Sequence, residues 1–280
     1  MTGAYDAWLG RVEMAEDSVT ARDTQRMAAT LAPDHGPVDP TAGAPLPPLW
    51  HWMAFAPALP AAELGRDGHP ALGGFLPPVE GRRRMWAGGR LRLGPPLRVE
   101  EALRRRSEIT RIAEKSGGAG PMLLVTVAHR IEGASGGWVE EEQDLVYVAL
   151  PERFSPPPGV APAADPVLAH PFRADSTQLF RFSALTFNGH RIHYDLPYAQ
   201  TVEKYPGLVV HGPLQAVLMM EAARRHAGRV PDAFRYRGLR PLFPEDAPQV
   251  MGWRAVDGRQ ALAVVAQGGW ITMQAEADFA

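Results

Sequence analysis

Hydrophobic and polar residues alternate along several stretches in the first half of the chain. The clearest alternation lies within 120–133 and 137–150. Every second position is apolar at Leu123, Val125 and Val127 in the first stretch and at Val146 and Val148 in the second. A period of two is typical of strands that bury one face, so two strands are predicted there. The stretches 90–99 and 101–115 also have strand character, although the second has a composition that suits a helix as well.

Two other stretches have the pattern of helices. Residues 20–32 have helical composition, and Thr20 is suited to cap the first turn. Residues 211–228 form the strongest helix pattern, with Pro213 in the first turn and Gly228 as a stop signal. This second helix is apolar on nearly every side, which predicts that it is buried.

The second half is otherwise predicted to be rich in strands. The stretch 177–187, "TQLFRFSALTF", is interpreted as an alternating strand, and Asp195 as the N-cap of a short helix over 196–205. Four further antiparallel strands are predicted, over 233–243, 249–258, 259–269 and 270–279. A buried helix wrapped by an antiparallel sheet, present once in each half, predicts an α+β fold.

The chain divides at a segment rich in Pro and Ala, 151–167, which is interpreted as an extended linker. The predicted units are therefore 1–150 and 168–280. A second stretch rich in Pro and Gly, 33–48, is predicted to be a long loop inside the first unit.

Composition excludes several classes of protein. The chain has 280 residues, a net charge of −2 and no cysteine. The lack of cysteine excludes disulfides, thiolate metal sites and a cysteine nucleophile. The balanced charge disfavours nucleic acid or an anionic membrane as a partner. Neither a secretory signal nor a long apolar span is found, so a cytoplasmic protein is expected.

The segment "FNGHRIHYDLPYA" (187–199) concentrates candidate chemistry. It holds Asn188, His190, His193 and Asp195, which together with His211 could supply metal ligands. The flanking residues favour a strand end and a turn, however, and an i, i+3 histidine pair shares one face only in a helix. No metal is therefore predicted, and Asp195 is assigned to capping.

A second segment, "GLVVHGPL" (207–214), adds an oxyanion site. The start of a buried helix presents free backbone N–H groups and the positive end of the helix dipole. Because Pro213 has no N–H, the Gly212 amide is the expected donor. A histidine nearby could take the α-proton of a thioester while this amide stabilises the enolate.

The two segments together resemble the hydratase motif of the MaoC-like (R)-specific enoyl-CoA hydratases, which have the hot-dog fold. Residues 46–93 resemble the N-terminal half of the type 2 hydroxyacyl-thioester dehydratases and of the mesaconyl-C4-CoA or itaconyl-CoA hydratases. The resemblance implies a double hot dog, two units packed as a pseudo-dimer. Only the second unit, 168–280, would carry the motif, and the first would shape the acyl pocket.

The resemblance also implies roles for individual residues. The catalytic histidine of the family falls on His193, and its oxyanion amide on Gly212. Its aspartate falls on Asn188, which cannot accept and return a proton, so His193 alone is expected to carry the proton. Asn188 is still expected at the catalytic site, where it could hold the water or the leaving β-hydroxyl by a hydrogen bond. Substrate-binding candidates are His190, His211, Tyr194, Trp86 and the CoA-phosphate candidates Arg82, Arg83 and Arg84. For His190, orienting His193, touching the substrate and a scaffold hydrogen bond all stay open.

The expected activity is hydration of a 2-enoyl-CoA or dehydration of a 3-hydroxyacyl-CoA, with CoA as part of the substrate and no separate cofactor. A dicarboxylic acyl group such as mesaconyl-C4-CoA or itaconyl-CoA is favoured. A fatty-acid-type thioester, on CoA or acyl carrier protein, is the main alternative. A non-catalytic acyl-CoA-binding subunit and a metalloenzyme are the others. Pairing into a homodimer is left open.

Overall fold

The computed structural model describes residues 4–79, 81–117 and 120–280. Within these residues ten strands form one antiparallel sheet in the order β1-β3-β4-β5-β2-β7-β10-β9-β8-β6. The strands are β1 (Val12–Asp17), β2 (Arg82–Leu93), β3 (Leu103–Gly117), β4 (Gly120–Gly133), β5 (Trp138–Ala149), β6 (Leu168–Pro171), β7 (Ala233–Gly238), β8 (Gln249–Gly252), β9 (Arg259–Val265) and β10 (Ile271–Asp278). The first five strands in the chain lie on one side of the sheet and the last five on the other.

The two halves of the sheet join where β2 pairs with β7. Gly88 lies opposite Arg237 and Gly89 opposite Tyr236. A Cβ atom at Gly88 would lie 2.5 Å from the Tyr236 carbonyl oxygen, and one at Gly89 would lie 2.6 Å from the Tyr236 hydroxyl. Side chains at these two positions would separate the strands, so glycine permits the halves to form one continuous surface.

Four α-helices are present in the described part of the chain. They are α1 (Ala21–Leu31), α2 (Ser176–Leu185), α3 (Leu196–Thr201) and α4 (Gly212–Ala227). Every residue of α4 from Pro213 to Ala223 is buried, and the helix ends at Gly228 with φ of 70°. The predicted buried helix and its stop signal are therefore confirmed.

The sheet in the first half of the chain is covered differently. Its helix α1 begins after Thr20, whose side chain accepts a hydrogen bond from the Asp23 N–H as predicted. Only four of its residues are buried, so α1 does not fill the sheet as α4 does. Part of the inner face is covered instead by the irregular segment that ends at Val79, which packs with Ile109 and Leu123. Proline and glycine are frequent in this segment and disfavour a long helix.

One sequence prediction is wrong, because 177–187 contains helix α2 instead of a strand. The Asp175 side chain caps this helix by accepting a hydrogen bond from the Gln178 N–H. Leu179 and Phe182 are buried three residues apart, while Phe180 is 63% exposed. A helical face with that spacing also produces a short alternation of apolar and polar residues, which misled the prediction.

The other predicted elements agree with the structure in type. The ambiguous stretch 101–115 lies in strand β3, and α3 follows Asp195, although it is shorter than predicted. Residues 150–167 contain no helix or strand. Strands β1 and β6 were not predicted. No helix among the described residues is long and apolar enough to cross a membrane. The first three residues, used in the signal-peptide prediction, lie outside the described part.

Candidate active site

Both halves of the chain line a single large cavity with a volume of about 2290 Å³. The second half contributes Asn188, His193 and Gly212 to its wall, and the first half contributes Arg84 and Trp86. The two segments that the sequence singled out, 187–199 and 207–214, therefore meet at this cavity.

His193 ends a 3₁₀ turn, Arg191–His193, and its ring has a defined orientation. Its Nδ1 lies 2.7 Å from the Val209 carbonyl oxygen. A carbonyl only accepts hydrogen bonds, so Nδ1 carries the hydrogen and Nε2 is left as an acceptor. Burial, together with His211 and His190 nearby, lowers the pKa of His193 well below 6.5. The ring is thus neutral near pH 7, as a proton acceptor must be.

His211 packs against the ring of His193. The two rings stack with centroids 3.7 Å apart, and His211 Nε2 lies 2.8 Å from the Ser183 hydroxyl oxygen. Burial lowers the pKa of His211 to about 3. His211 is fully buried and does not belong to the cavity wall. The structure therefore places this candidate substrate-binding residue where it orients His193.

Gly212 is the first residue of α4 and lies on the cavity wall. Helix N–H groups in the first turn have no acceptor within the helix, and Pro213 has no N–H. Since His211 stacks on His193 and precedes Gly212, the helix terminus lies beside the histidine. The amide and the positive end of the helix dipole are suited to a polarised carbonyl oxygen.

Asn188 follows α2 and shapes the turn that leads to His193. Its N–H donates to the Ser183 carbonyl at 2.8 Å, and its side-chain Oδ1 accepts the N–H of His190 at 3.0 Å. The backbone therefore takes one of the two hydrogen bonds that this oxygen can accept. Asn188 also lines the cavity.

His190 belongs to a buried polar network. Its Nε2 lies 3.1 Å from Oε1 of Glu203, a residue that is 1% exposed. The Tyr198 hydroxyl approaches the same carboxylate at 3.4 Å, and Arg83 lies 3.6 Å from its other oxygen. Of the three roles left open for His190, the scaffold hydrogen bond is present, and the residue also lines the cavity.

The three arginines of β2 have different environments. Arg83 is held by Glu203 and donates to the Tyr205 hydroxyl at 3.0 Å. Arg84 pairs across the sheet with Tyr147 and lines the cavity, and no carboxylate among the described residues lies within ion-pair distance of it. Arg82 is outside the cavity wall, so the three cannot act as one phosphate cluster at this cavity.

The remaining candidates are a wall residue, a surface residue and a cap. Trp86 lines the cavity and packs edge-on against Trp52, with the ring centroids 5.0 Å apart. Tyr194 is half exposed at the wall, and its hydroxyl donates to the Gly189 carbonyl at 2.9 Å.

Asp195 accepts the Tyr198 N–H at 3.0 Å and forms an ion pair with Arg191. The capping role predicted for Asp195 is confirmed.

Asp67 and His69 were not among the candidates predicted from the sequence, and they reach this site from the first half of the chain. His69 Nδ1 lies 2.8 Å from Asp67 Oδ2, and the ring of His69 lies 4.3 Å from that of His190. Within the described residues, Asp67, His69 and His190 bring three atoms of the kind that bind metals within 4.8 Å of one another. Of these three residues, only His190 is among the possible metal ligands named from the sequence. An Asp and a His two residues apart in "RDGHP" were the available signal.

Comparison with known proteins indicates the family to which the chain belongs. The family model for hydroxyacyl-thioester dehydratase type 2 matches residues 49–244. A mesaconyl-C(4)-CoA hydratase of Chloroflexus aurantiacus is 48% identical over 241 residues, 85% of this chain and 84% of that protein. A mitochondrial hydroxyacyl-thioester dehydratase type 2 of Schizosaccharomyces pombe is 28% identical over 71% of this chain and 74% of its own.

Solved structures support the architecture. A MaoC-like dehydratase from Phytophthora capsici superposes with a TM-score of 0.68 at 16% identity, over 97% of this chain and 95% of that one. A Mycobacterium tuberculosis protein with a double hot-dog fold has a TM-score of 0.59 at 12% identity, over 96% and 95%. The predicted double hot-dog, α+β fold is confirmed.

The fold and the family match define a MaoC-like hydro-lyase, which adds water to an enoyl thioester or removes it from a 3-hydroxyacyl thioester. Within that class, the chain belongs to the hydroxyacyl-thioester dehydratase type 2 family.

Proposed function

We propose that the chain hydrates mesaconyl-C4-CoA reversibly and that His193 and Gly212 carry the reaction. The observation that supports the reaction is the neutral His193 beside the terminus of α4 on the cavity wall, with no hydrogen bond to its Nε2 from any described residue. The observation that supports the substrate is the 48% identity with a hydratase of that name.

The proton follows one path in this proposal. The thioester carbonyl oxygen accepts the Gly212 N–H, which stabilises the enolate charge on that oxygen. The water oxygen bonds to the β-carbon while His193 Nε2 takes one water proton, and the same proton is then delivered to the α-carbon. The product is the 3-hydroxyacyl thioester, and dehydration is the reverse. Asn188 holds the turn and takes no proton.

The acyl group of mesaconyl-C4-CoA carries a carboxylate on its β-carbon. Arg84 is the proposed partner of that carboxylate because it lines the cavity and no carboxylate among the described residues lies within ion-pair distance of it. Guanidinium groups bind carboxylates through two parallel hydrogen bonds. Arg83 is held in its ion pair with Glu203 and is not assigned to the substrate.

The first unit, 1–150, has a supporting role in this proposal, because its Arg84 and Trp86 shape the acyl side of the cavity. The second unit, 168–280, supplies His193 and Gly212. Limited proteolysis should cut first in the segment 151–167. A homodimer and a cytoplasmic location remain predictions, which sedimentation and cell fractionation would test.

The test follows loss of enoyl-thioester absorbance with mesaconyl-C4-CoA, itaconyl-CoA and crotonyl-CoA. Mesaconyl-C4-CoA should have the highest kcat/KM. Arg84→Gln should lower that kcat/KM by about tenfold or more and leave the value for crotonyl-CoA nearly unchanged. Arg82→Gln is the matched control and should change neither.

Two other outcomes would replace this proposal. A preference for crotonyl-CoA or longer chains, unaffected by Arg84→Gln, would favour the fatty-acid type of dehydratase. Binding of all three thioesters without turnover would favour an acyl-CoA-binding subunit.

A further inference from the structure

Asp67 and His69 form a carboxylate–imidazole pair at the edge of the site. His69 Nδ1 donates to Asp67 Oδ2, and the backbone N–H of His69 donates to Asp67 Oδ1 at 3.1 Å. Burial opposes ionisation of Asp67, but its bonds to His69 hold its pKa below the usual range. An ionised carboxylate only accepts, so Nδ1 of His69 carries the hydrogen and Nε2 is an acceptor.

The loop that carries this pair is fixed against the second half of the chain. The Arg191 N–H donates to the Asp67 carbonyl at 2.9 Å, and the Gly65 N–H donates to the His69 carbonyl at 2.7 Å. Gly68 has φ of +88°, and a Cβ atom there would overlap the Gly189 carbonyl oxygen. Two glycine backbones in direct contact therefore set the position of His69.

His69 lies near His193, with the ring of His190 next to both. Its ring centroid lies 4.3 Å from that of His190, which lies 5.4 Å from that of His193. His69 and His193 both line the cavity, and His69 is close enough to contribute to lowering the pKa of His193. No hydrogen bond to Nε2 of His69 is present among the described residues.

The reacting water needs two acceptors, one for each of its protons. His193 Nε2 supplies one of them. Asn188 Oδ1 already accepts the His190 N–H, and His190 Nε2 bonds to Glu203. Nε2 of His69 is an acceptor on the cavity wall that has no hydrogen-bond partner among the described residues.

We propose that the first half of the chain supplies a positioning residue, His69, which Asp67 orients and which holds the reacting water. This inference rests on the proposed hydratase function. His69 Nε2 accepts the water proton that is not transferred, so that proton stays on the product hydroxyl. The water oxygen bonds to the β-carbon, and the other proton passes through His193 to the α-carbon. In dehydration His69 holds the β-hydroxyl as it leaves.

Two isosteric variants separate this role from a structural one. His69→Asn keeps a side-chain N–H near Nδ1, which preserves the bond to Asp67, and removes the Nε2 position. His69→Gln places an amide oxygen near Nε2 and sacrifices the bond to Asp67. Both are assayed for kcat and KM with the same enoyl-CoA, and their folding is checked by circular dichroism.

The inference expects His69→Asn to lower kcat by about tenfold to 100-fold with little change in KM. His69→Gln should retain more of the wild-type kcat than His69→Asn. A purely structural role for His69 predicts the opposite order, and that order, or wild-type kcat in both variants, would overturn the inference.

The wild-type control separates the two proposals. If the wild-type chain hydrates no enoyl-CoA, the proposed function fails. If it does, and His193 variants are inactive while both His69 variants are fully active, only the role of His69 fails. Loss of wild-type activity with EDTA and recovery with Zn²⁺ would instead make Asp67, His69 and His190 a metal site and would also overturn the inference.

Discussion

His193 donates its Nδ1 hydrogen to the Val209 carbonyl at 2.7 Å, and this one bond determines which nitrogen faces the substrate. Val209 lies three residues before Gly212, so the segment that orients the base also leads into the helix that supplies the oxyanion donor. The two groups that the mechanism needs are thereby held by one short stretch of backbone.

Stability should fall with acid because the buried His211 and the partly buried His129 are held in the neutral form. Burial lowers the pKa of His211 to about 3 and that of His129 to about 4, below the ordinary value of 6.5. The unfolded chain therefore binds protons that the folded chain does not between pH 6.5 and about 4. Stability present above pH 6.5 is lost over that window, by about 1.4 kcal/mol per pH unit for each such histidine.

Urea denaturation at pH 7.5, 5.5 and 4.5 measures this loss of stability. The variant His129→Gln removes one of the groups, so its stability should depend less steeply on pH than that of the wild type. Equal stability of the wild-type chain at the three pH values would contradict the neutral state of these histidines.

Asn188 should contribute to turnover through its side-chain oxygen, which accepts a hydrogen bond, and should take no part in proton transfer. Asn188→Asp keeps an oxygen that can accept the His190 N–H, so it should fold and retain substantial activity. Asn188→Ala removes the bond and should slow turnover without changing the shape of the pH–rate profile. A shift in the profile of Asn188→Ala would mean that the amide influences a titrating group, against this account.

Glu203 should stabilise the site beneath His190. Replacing it by glutamine leaves Arg83 without its buried counter-charge and weakens the contact with His190, at a cost of about 3 kcal/mol in the free energy of unfolding. The exposed Glu245 provides the control, since Glu245→Gln should change stability by less than about 0.5 kcal/mol. A wild-type free energy of unfolding in Glu203→Gln would show that the network is not a source of stability.

Gly68→Ala should displace the loop that carries Asp67 and His69. Both Gly68 and Gly43 have positive φ, but only a Cβ atom at Gly68 meets another backbone. Gly43→Ala therefore controls for backbone strain alone. The account expects a clear drop in kcat for Gly68→Ala and near wild-type kcat for Gly43→Ala. Equal kcat in the two variants would argue against the contact with Gly189.

Much of the fold follows from local patterns. Helix α4 was predictable because its apolar run, Pro213 and Gly228 all indicate the same boundaries. Helix α2 was not, because ten residues with few buried positions satisfy a strand pattern and a helix pattern equally, and only contacts with the rest of the chain decide between them.

The residues of the site also differ in whether the local sequence could predict them. Gly212 and the capping role of Asp195 depend on neighbouring residues in the chain, so local sequence was sufficient to propose them. The choice of His193 among the nearby histidines came from the resemblance to the MaoC-like hydratases. Asp67, His69 and Glu203 act across long sequence separations or inside a buried network. Nothing in the local pattern around His69 indicates that a glycine contact brings it to His190.

The central claim is that His193 Nε2 transfers the proton, and His193→Asn tests it most directly. Asparagine can keep a side-chain N–H for the Val209 carbonyl while it lacks the second nitrogen. The measurement is turnover of mesaconyl-C4-CoA, followed by enoyl-thioester absorbance, with thermal unfolding as the check on folding. The account predicts a folded variant whose kcat is lower by about 100-fold or more. A folded His193→Asn variant that retains wild-type kcat would contradict it.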